Sequence, residues 1–396
     1  FLGLDFLHDG LPRLELEAEF SPAPEEPEGG IAVSDFGSEL KEILSDLNVC
    51  SRHWVVRQYD HEVQGASVVK PLAGKANDGP SDAAVIKPLA DSWKGLVVSN
   101  GINPCIGEND SYWMAANAID EAVRNAVATG ADPKKIALLD NFCWPDPKFH
   151  QLKNPEGKKH LGKLVRAGRA CFDFSTAFGM PFISGKDSLA GDRDVGGKRY
   201  SIKPTLLISA LGIVNDVRKA VSMDSKSAGD LVYAIGITRA ELHGSVFLQK
   251  HGSRKGITPK VDAEKALALY KAFHEAILEG VVESAHDCSQ GGLAVALAES
   301  AFAGGLGMKV SLEKLPCEGA LNDAQALFSE SASRIIATVK PENREKFEAI
   351  LSGKESGCIG ETASGPFLEI TGFNGGRILK ENIFDLKKEW QRTLDW

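Results

Sequence analysis

Residues 112–139 read YWMAANAIDEAVRNAVATGADPKKIALL. Apolar side chains recur at helical spacing up to Thr129, Gly130 stops the pattern, and a short apolar strand follows at 136–139. A long helix giving way to a strand across so short a loop implies a mixed α/β layer structure. Working outward, 83–86 and 96–99 read as short strands upstream. Downstream come a helix at 160–178, a short buried strand at 181–184 and the strand 205–214, TLLISALGIV. The polar run 215–229 then marks a domain boundary. The second half restarts with a strand at 231–237, helices at 262–278 and 292–303, a strand at 334–339 and a helix at 342–351. Strands near Cys358 and at 366–370 close it. Ahead of the first domain lie a Pro- and Glu-rich connector at 21–30, a helix at 38–47 carrying Leu40, Ile43, Leu44 and Leu47, and a loop at 75–81. The expected fold class is α/β (α+β), two domains, each a mixed sheet with packed helices. The expected division is 1–58 as an N-terminal extension, 59–214 as the first domain, 215–229 as linker and 230–396 as the second domain.

Composition fits this reading. At roughly 150 residues per domain, 396 residues make two to three domains. A content of 43 % hydrophobic and 25 % charged residues excludes a disordered chain. The net charge of −9, with no basic block, argues against nucleic acid or an anionic membrane as partner. A phosphate ligand bridged by Mg²⁺ stays compatible, because the metal supplies the positive charge. No window approaches 18 uninterrupted apolar residues, so no transmembrane helix is expected. Residues 1–7 are apolar without a basic leader and acidic residues follow, so no signal peptide is expected, and a start at Phe1 suggests a fragment or a processed piece. Seven scattered cysteines without C-x-x-C spacing argue against disulfides or a zinc site and point to a cytoplasmic protein.

Four local patterns carry possible chemistry. Glu121 and Asn125 are four apart on one helix face, so both oxygens can meet one hard cation. The small neighbours Ala118, Ala122 and Ala126 allow another backbone to approach. The alternative is a solvated stripe that also includes Asp120 and Arg124. AHDCSQGG at 285–292 stands directly before an apolar helix, where free N–H groups and the helix dipole can receive a phosphate beside Ser289 while Asp287 holds a metal. The alternative is plain capping by Ser289 or Asp287, and His286 by itself reads as a satisfied buried histidine. ISGKDSL at 183–189 offers Gly, Lys, Asp and Ser at the end of a strand without the spacing of a Walker A loop, or is a solvated tight turn. Asp82, within GPSD ahead of the strand 83–86, is either a metal ligand or a strand-entry cap.

Taken together, RQYDHEVQG (57–65), GPSDAAVIKP (79–88), DEAVRNAVATGADP (120–133), ALLDNFCWPDP (137–147), ISGKDSL (183–189), AHDCSQGGLAVALAE (285–299) and LFSESASR (327–334) resemble the phosphoribosylformylglycinamidine (FGAM) synthase family. The likeness is to the second half of that family's synthetase region, of the aminoimidazole ribonucleotide synthetase superfamily. It implies two α/β domains of that type, phosphoryl transfer from ATP, and membership of a carbon–nitrogen ligase of purine biosynthesis. That ligase turns formylglycinamide ribonucleotide and glutamine-derived ammonia into the amidine, with ADP and phosphate as products. The resemblance implies Asp82, Glu121, Asn125 and Asp287 as Mg²⁺ ligands. It implies Ser81, Asp140, Gly185 and Ser289 as contacts of ATP or ADP, and Ser188 as a substrate contact. The family's catalytic histidine lies in a Ser-His-Asn-His-Pro-like motif that this sequence lacks, so no catalytic residue is assigned. The partners implied are a first synthetase half and a glutaminase.

Two positions depart from the family pattern: Lys186 replaces a metal-binding Asn, and Gln290 replaces a second Asp beside the phosphate site. Three carboxylates converging from two domains would repel, so the cleft is expected to need Mg²⁺ to close. Two other readings stand beside the ligase. One is a non-catalytic half that holds a structural nucleotide. The other is a homodimeric superfamily relative pairing through its first domains, against which stands the missing glycine-rich N-terminal loop of those enzymes.

Overall fold

The structure is a computed structural model that describes residues 1–10, 14–22, 25–27 and 30–396, so part of the expected connector at 21–30 lies outside the described residues. Among the described residues three helices precede the first sheet: α1 (Leu4–Asp9), α2 (Phe36–Leu44) and α3 (His53–Arg57). Asp35 starts α2 by accepting the N–H groups of Gly37 and Ser38. Leu40, Ile43 and Leu44 are buried, whereas Leu47 lies past the helix end and is exposed.

The first domain holds β1 (Ser67–Val69), β2 (Ala83–Ile86), β3 (Gly95–Ile102), β4 (Ile136–Cys143), β5 (Phe182–Ser188) and β8 (Thr205–Val214) in one sheet of order β1-β2-β3-β8-β4-β5. A hairpin of β6 (Asp192–Val195) and β7 (Lys198–Ser201) stands apart. Only β4 and β5 run parallel. One face is covered by α4 (Ser111–Ala128) and α5 (Gly157–Phe178). Helix α4 lies so close to β3 that a Cβ on Gly101 would sit 2.2 Å from the Ala118 carbonyl oxygen. The small residues at 118 and 122 make this approach possible, and the Ser99 hydroxyl donates to the Ala122 carbonyl at 2.7 Å. On the opposite face Val98, Ile102, Leu211 and Ile213 are exposed. The strand expected as buried at 181–184 is instead β5, a mostly exposed edge strand. Its apolar start resembles a core strand, but nothing among the described residues covers that side.

In the second domain β9 (Leu231–Ile235), β10 (Ser284–Asp287), β11 (Gly307–Ser311), β12 (Ile335–Val339), β13 (Ser356–Ala363), β14 (Phe367–Thr371) and β15 (Arg377–Asn382) form a sheet of order β10-β12-β9-β13-β11-β14-β15. Its helices are α6 (Val246–Lys250), α7 (Ala263–Leu278), α8 (Gly292–Gly304), α9 (Asp323–Phe328), α10 (Arg344–Ile350) and α11 (Ile383–Arg392). Apart from Glu299 and Ser300, helix α8 is apolar on every face, and it is buried along almost its whole length, as a helix enclosed by other elements must be. It packs against α9 and α11 and also against α2, which therefore belongs with the second domain's core. The apolar core of the first domain continues without a break into the second through α7, β9 and β12. Helix α4 touches both α7 and β10, and α5 also packs on α7, so the two helices of the first domain carry much of the contact between the domains. Among the described residues no helix is long and apolar enough to cross a membrane.

Candidate functional site

The polar residues of α4 are not a solvated stripe. Asp120, Arg124 and Asn125 are 0, 3 and 7 % exposed. Buried charge is costly unless paired, and the pairing here is dense. Asp120 accepts from the Arg124 guanidinium (2.5 Å), the Tyr270 hydroxyl (2.5 Å), and the N–H (2.9 Å) and hydroxyl (2.7 Å) of Ser333. The second arm of Arg124 reaches the Asp287 carboxylate at 3.1 Å. One guanidinium thus ties an acid of the first domain to an acid at the end of β10.

Around this tie the expected metal set comes together. Asp82 arrives just ahead of β2, Glu121 and Asn125 from α4, and Asp287 from β10, all lining one cleft between the domains. The Ser289 hydroxyl donates to Glu121 (2.9 Å) or to Asp287 (2.7 Å). Ser81 and Gln290 line the same cleft. The Ile102 N–H donates to Glu121 at 2.8 Å, and Asn125 donates to the Asn100 carbonyl at 3.1 Å. Asp82 is no strand-entry cap: its Oδ1 bonds the His286 ring at 2.6 Å and accepts the Asp287 N–H at 3.3 Å. Nor do Ser289 or Asp287 cap α8, whose N-cap is Gly291 at φ +81°, with no side-chain cap. His286 is buried with both ring nitrogens partnered, as expected.

The donor set fits a divalent cation. Asp82 Oδ2 and Asn125 Oδ1 are buried with no hydrogen-bond partner within the structure, and an orphaned buried oxygen is costly unless something occupies it. The ligand atoms of Asp82, Asp287 and the intervening His286 lie within 4.8 Å of one another, with the ring bonded to Asp82 and Glu299. Carboxylate and amide oxygens are the ligands that Mg²⁺ and Mn²⁺ prefer. Burial pushes the Asp82 carboxyl up to about 6 against the pull of His286. Burial and the neighbouring Asp287 charge push Glu121 up to about 7. Asp287 lies below the ordinary range, because Arg124 and His286 outweigh the effect of burial. Burial alone would depress His286, but Asp82 and Glu299 hold it well above the usual imidazole value.

The other expected contacts lie elsewhere. Asp140 on β4 stands in register with Gly185 on β5, so close that a Cβ on Gly185 would sit 2.4 Å from the Asp140 carboxylate. Lys186 donates to the Ser188 hydroxyl. Asp140, Gly185 and Ser188 are absent from the cleft lining and sit at the far edge of the first sheet. Burial raises the Asp140 carboxyl, with Asp187 adding to it. The expected ligand contacts therefore divide between an interdomain cleft and an open sheet edge. Local reading missed Asp120, Glu299 and Glu330, although AVALAE and LFSESASR contain the last two. Glu330 accepts the N–H groups of Gly291 and Val246, each at 2.9 Å, and so anchors the loop that leads into α8.

Residues 80–214 match the family described as AIR synthase related protein, N-terminal domain, and residues 227–372 match the C-terminal domain of the same description. The chain belongs to the AIR synthase related family. Within that family it is similar to the phosphoribosylformylglycinamidine synthase subunit PurL of Thermococcus sibiricus, with 36 % identity over 91 % of this chain and 47 % of that protein. PurL of Methanocaldococcus jannaschii is 34 % identical over 91 % of this chain and 46 % of its own length. The resemblance to FGAM synthase is thereby borne out. The chain spans about half the length of these curated relatives. Among solved structures, Thermotoga maritima PurL complexed with FGAR superposes with a TM-score of 0.64 at 19 % identity, over 88 % of this chain and 53 % of that one. Escherichia coli HypE, a hydrogenase maturation protein, gives 0.52 at 18 % identity over 72 % of this chain and 84 % of that one. Both likenesses show the same two-domain α/β fold.

Proposed function

We propose that the interdomain cleft binds the phosphates of an adenine nucleotide through Mg²⁺, and that the chain is one half of a phosphoribosylformylglycinamidine synthase. That ligase converts formylglycinamide ribonucleotide, ammonia and ATP into the amidine, ADP and phosphate. One observation carries the reading: two buried oxygens without partners, on Asp82 and Asn125, face a cleft that also gathers Glu121 and Asp287 ahead of α8. Support comes from the PurL relatives and from T. maritima PurL having been solved with FGAR, ADP and ATP.

In this reading Asp82, Glu121, Asn125 and Asp287 hold the metal, which supplies the positive charge that phosphates need. Ser289 and Ser81 meet the phosphates from the loops beside the cleft, and the first turn of α8 offers them free N–H groups and the positive end of the helix dipole. Gln290 adds no charge at this point, which leaves the anion unopposed. Because the sequence lacks the catalytic-histidine motif, the nucleotide in this cleft is held rather than turned over by this chain alone. Asp140, Gly185 and Ser188 serve a second ligand position on the sheet edge, contacting ATP and substrate there once a partner completes it.

The partner is a first synthetase half, joined by a glutaminase that supplies ammonia. The exposed apolar face bearing Val98, Ile102, Leu211 and Ile213 is the surface on which that half docks. The same face supports a second reading, in which two copies of this chain pair as a homodimer. We propose 59–214 and 230–396 as the two domains, joined by 215–229, in a cytoplasmic protein. Calorimetric titration with ADP, with and without Mg²⁺, tests the site. Mg²⁺-dependent binding that is lost in Asp287→Ala is expected. Metal-independent binding, or binding that survives the substitution, refutes it.

A further inference from the structure

His286 carries more than a satisfied place in the core. Its Nδ1 meets Asp82 Oδ1 at 2.6 Å, and its Nε2 meets Glu299 Oε2 at 3.0 Å. The three side chains come from three segments: Asp82 from the first domain, His286 from β10 and Glu299 from the third turn of α8. The His286 and Asp82 side chains are 6 and 1 % exposed. The Asp287 N–H, at 3.3 Å, adds a second donor to the same Oδ1. One oxygen of Asp82 is therefore pinned by the second domain, while Oδ2 is left buried and without a partner. A carboxylate fixed through one oxygen presents the other at a defined place, and outer partners of this kind tune metal ligands.

We infer that Glu299 and His286 form a relay of positioning residues that sets the Asp82 carboxylate of the first domain against the metal ligands of the second. The inference rests on the proposed metal site. His286 is not itself a ligand in this arrangement, because both of its nitrogens are engaged. The relay also explains an acid at position 299 on a helix whose other polar side chain is Ser300 alone. Glu299 holds the ring, the ring holds Asp82, and the cation site is aligned across the domain boundary.

The test separates the two ring nitrogens. In His286→Asn the amide nitrogen takes the place of Nδ1 and keeps the bond to Asp82. In His286→Gln it takes the place of Nε2 and keeps only the bond to Glu299. The probe is Mn²⁺ alone, titrated into the full chain and followed by electron paramagnetic resonance of the free ion, with thermal unfolding in metal-free buffer as the measure of folding. His286→Gln is expected to weaken Mn²⁺ binding roughly tenfold or more, and His286→Asn to stay within roughly threefold of the parent. Glu299→Ala, which like His286→Asn leaves Asp82 its partner and removes only the hold of Glu299, is expected to weaken binding by no more than roughly threefold, and Glu299→Gln, which keeps an acceptor oxygen, to restore it. Equal losses in the Asn and Gln variants of His286, or Mn²⁺ affinity that simply follows thermal stability across the four variants, would overturn the relay. A parent chain that binds no Mn²⁺ overturns the metal site itself, a result distinct from failure of the relay alone.

Discussion

Glu330 offers the sharpest test of how the loop before α8 is held. Its carboxylate is buried and accepts two backbone N–H groups, from Gly291 and Val246, through one oxygen. Burial pushes this carboxyl from an ordinary 4.5 up to about 7, although both N–H donors and Arg334 pull the other way. The fold therefore favours the protonated acid. The stabilisation is complete below the ordinary value near 4.5 and is lost as pH rises through about 7. At about 1.4 kcal/mol for each tenfold in the equilibrium, the ionised group costs the fold about 3 kcal/mol at pH 8. Glu330→Gln keeps the acceptor oxygen without the charge, but brings an amide that needs an acceptor, at about 1 kcal/mol. The variant should therefore be more stable than the parent by about 2 kcal/mol at pH 8, or about 4 to 8 °C in Tm for a domain of this size. At pH 5 the advantage should vanish or reverse. Thermal and urea unfolding at the two pH values measure it. A variant that is less stable at pH 8, or whose difference from the parent does not change with pH, would show that the two N–H bonds require a charged acceptor and refute the argument.

Two further outcomes follow from the same contacts. Asp120→Ala removes the shared acceptor of Arg124, Tyr270 and Ser333 and leaves a buried guanidinium with Asp287 as its one bonded carboxylate, so unfolding in urea should show a loss of about 3–5 kcal/mol; a loss under about 1 kcal/mol would mean that the cluster is no tie between the domains. Divalent-cation affinity should fall by at least about tenfold from pH 8 to pH 5.5, because Asp82 and Glu121, pushed up to about 6 and about 7, take up protons that compete with the metal; a flat profile by calorimetry would refute their assignment as ligands.

The parts of the fold with strong local periodicity were legible. Helix α4 ends where Gly130 adopts φ +109°, and β8 spans the expected 205–214. Strand β10 was missed because all four of its residues are buried and three of them are charged or polar, so it shows neither alternation nor an apolar run. Strand β5 was found but placed inside, since an apolar run does not reveal whether a neighbour covers it. The convergence of Asp82, Glu121, Asn125 and Asp287 was legible only through the resemblance. Spacing puts Glu121 beside Asn125, but no local pattern says that residues 82 and 287 meet. For the same reason the burial of Asp120 and Arg124, and the two partners of His286, were out of reach: each depends on contacts between segments far apart in the chain.

Helix α2 has a consequence for how the chain is made. Its apolar face belongs to the second domain's core, and the segment after it is held by the far end of the chain: the Trp390 indole donates to the Val49 carbonyl at 3.0 Å, and the Thr393 hydroxyl to the Ser45 carbonyl at 2.6 Å. The partners are separated by 341 and 348 residues. At about 5–20 residues per second, a ribosome needs about 20 to 70 s to deliver Trp390 after Val49 has emerged. During that interval Leu40, Ile43 and Leu44 have no finished core to enter, while the first sheet between them can already assemble. Closure of this long loop belongs among the last events of folding, because its ends cannot meet until the C-terminal helix has been made.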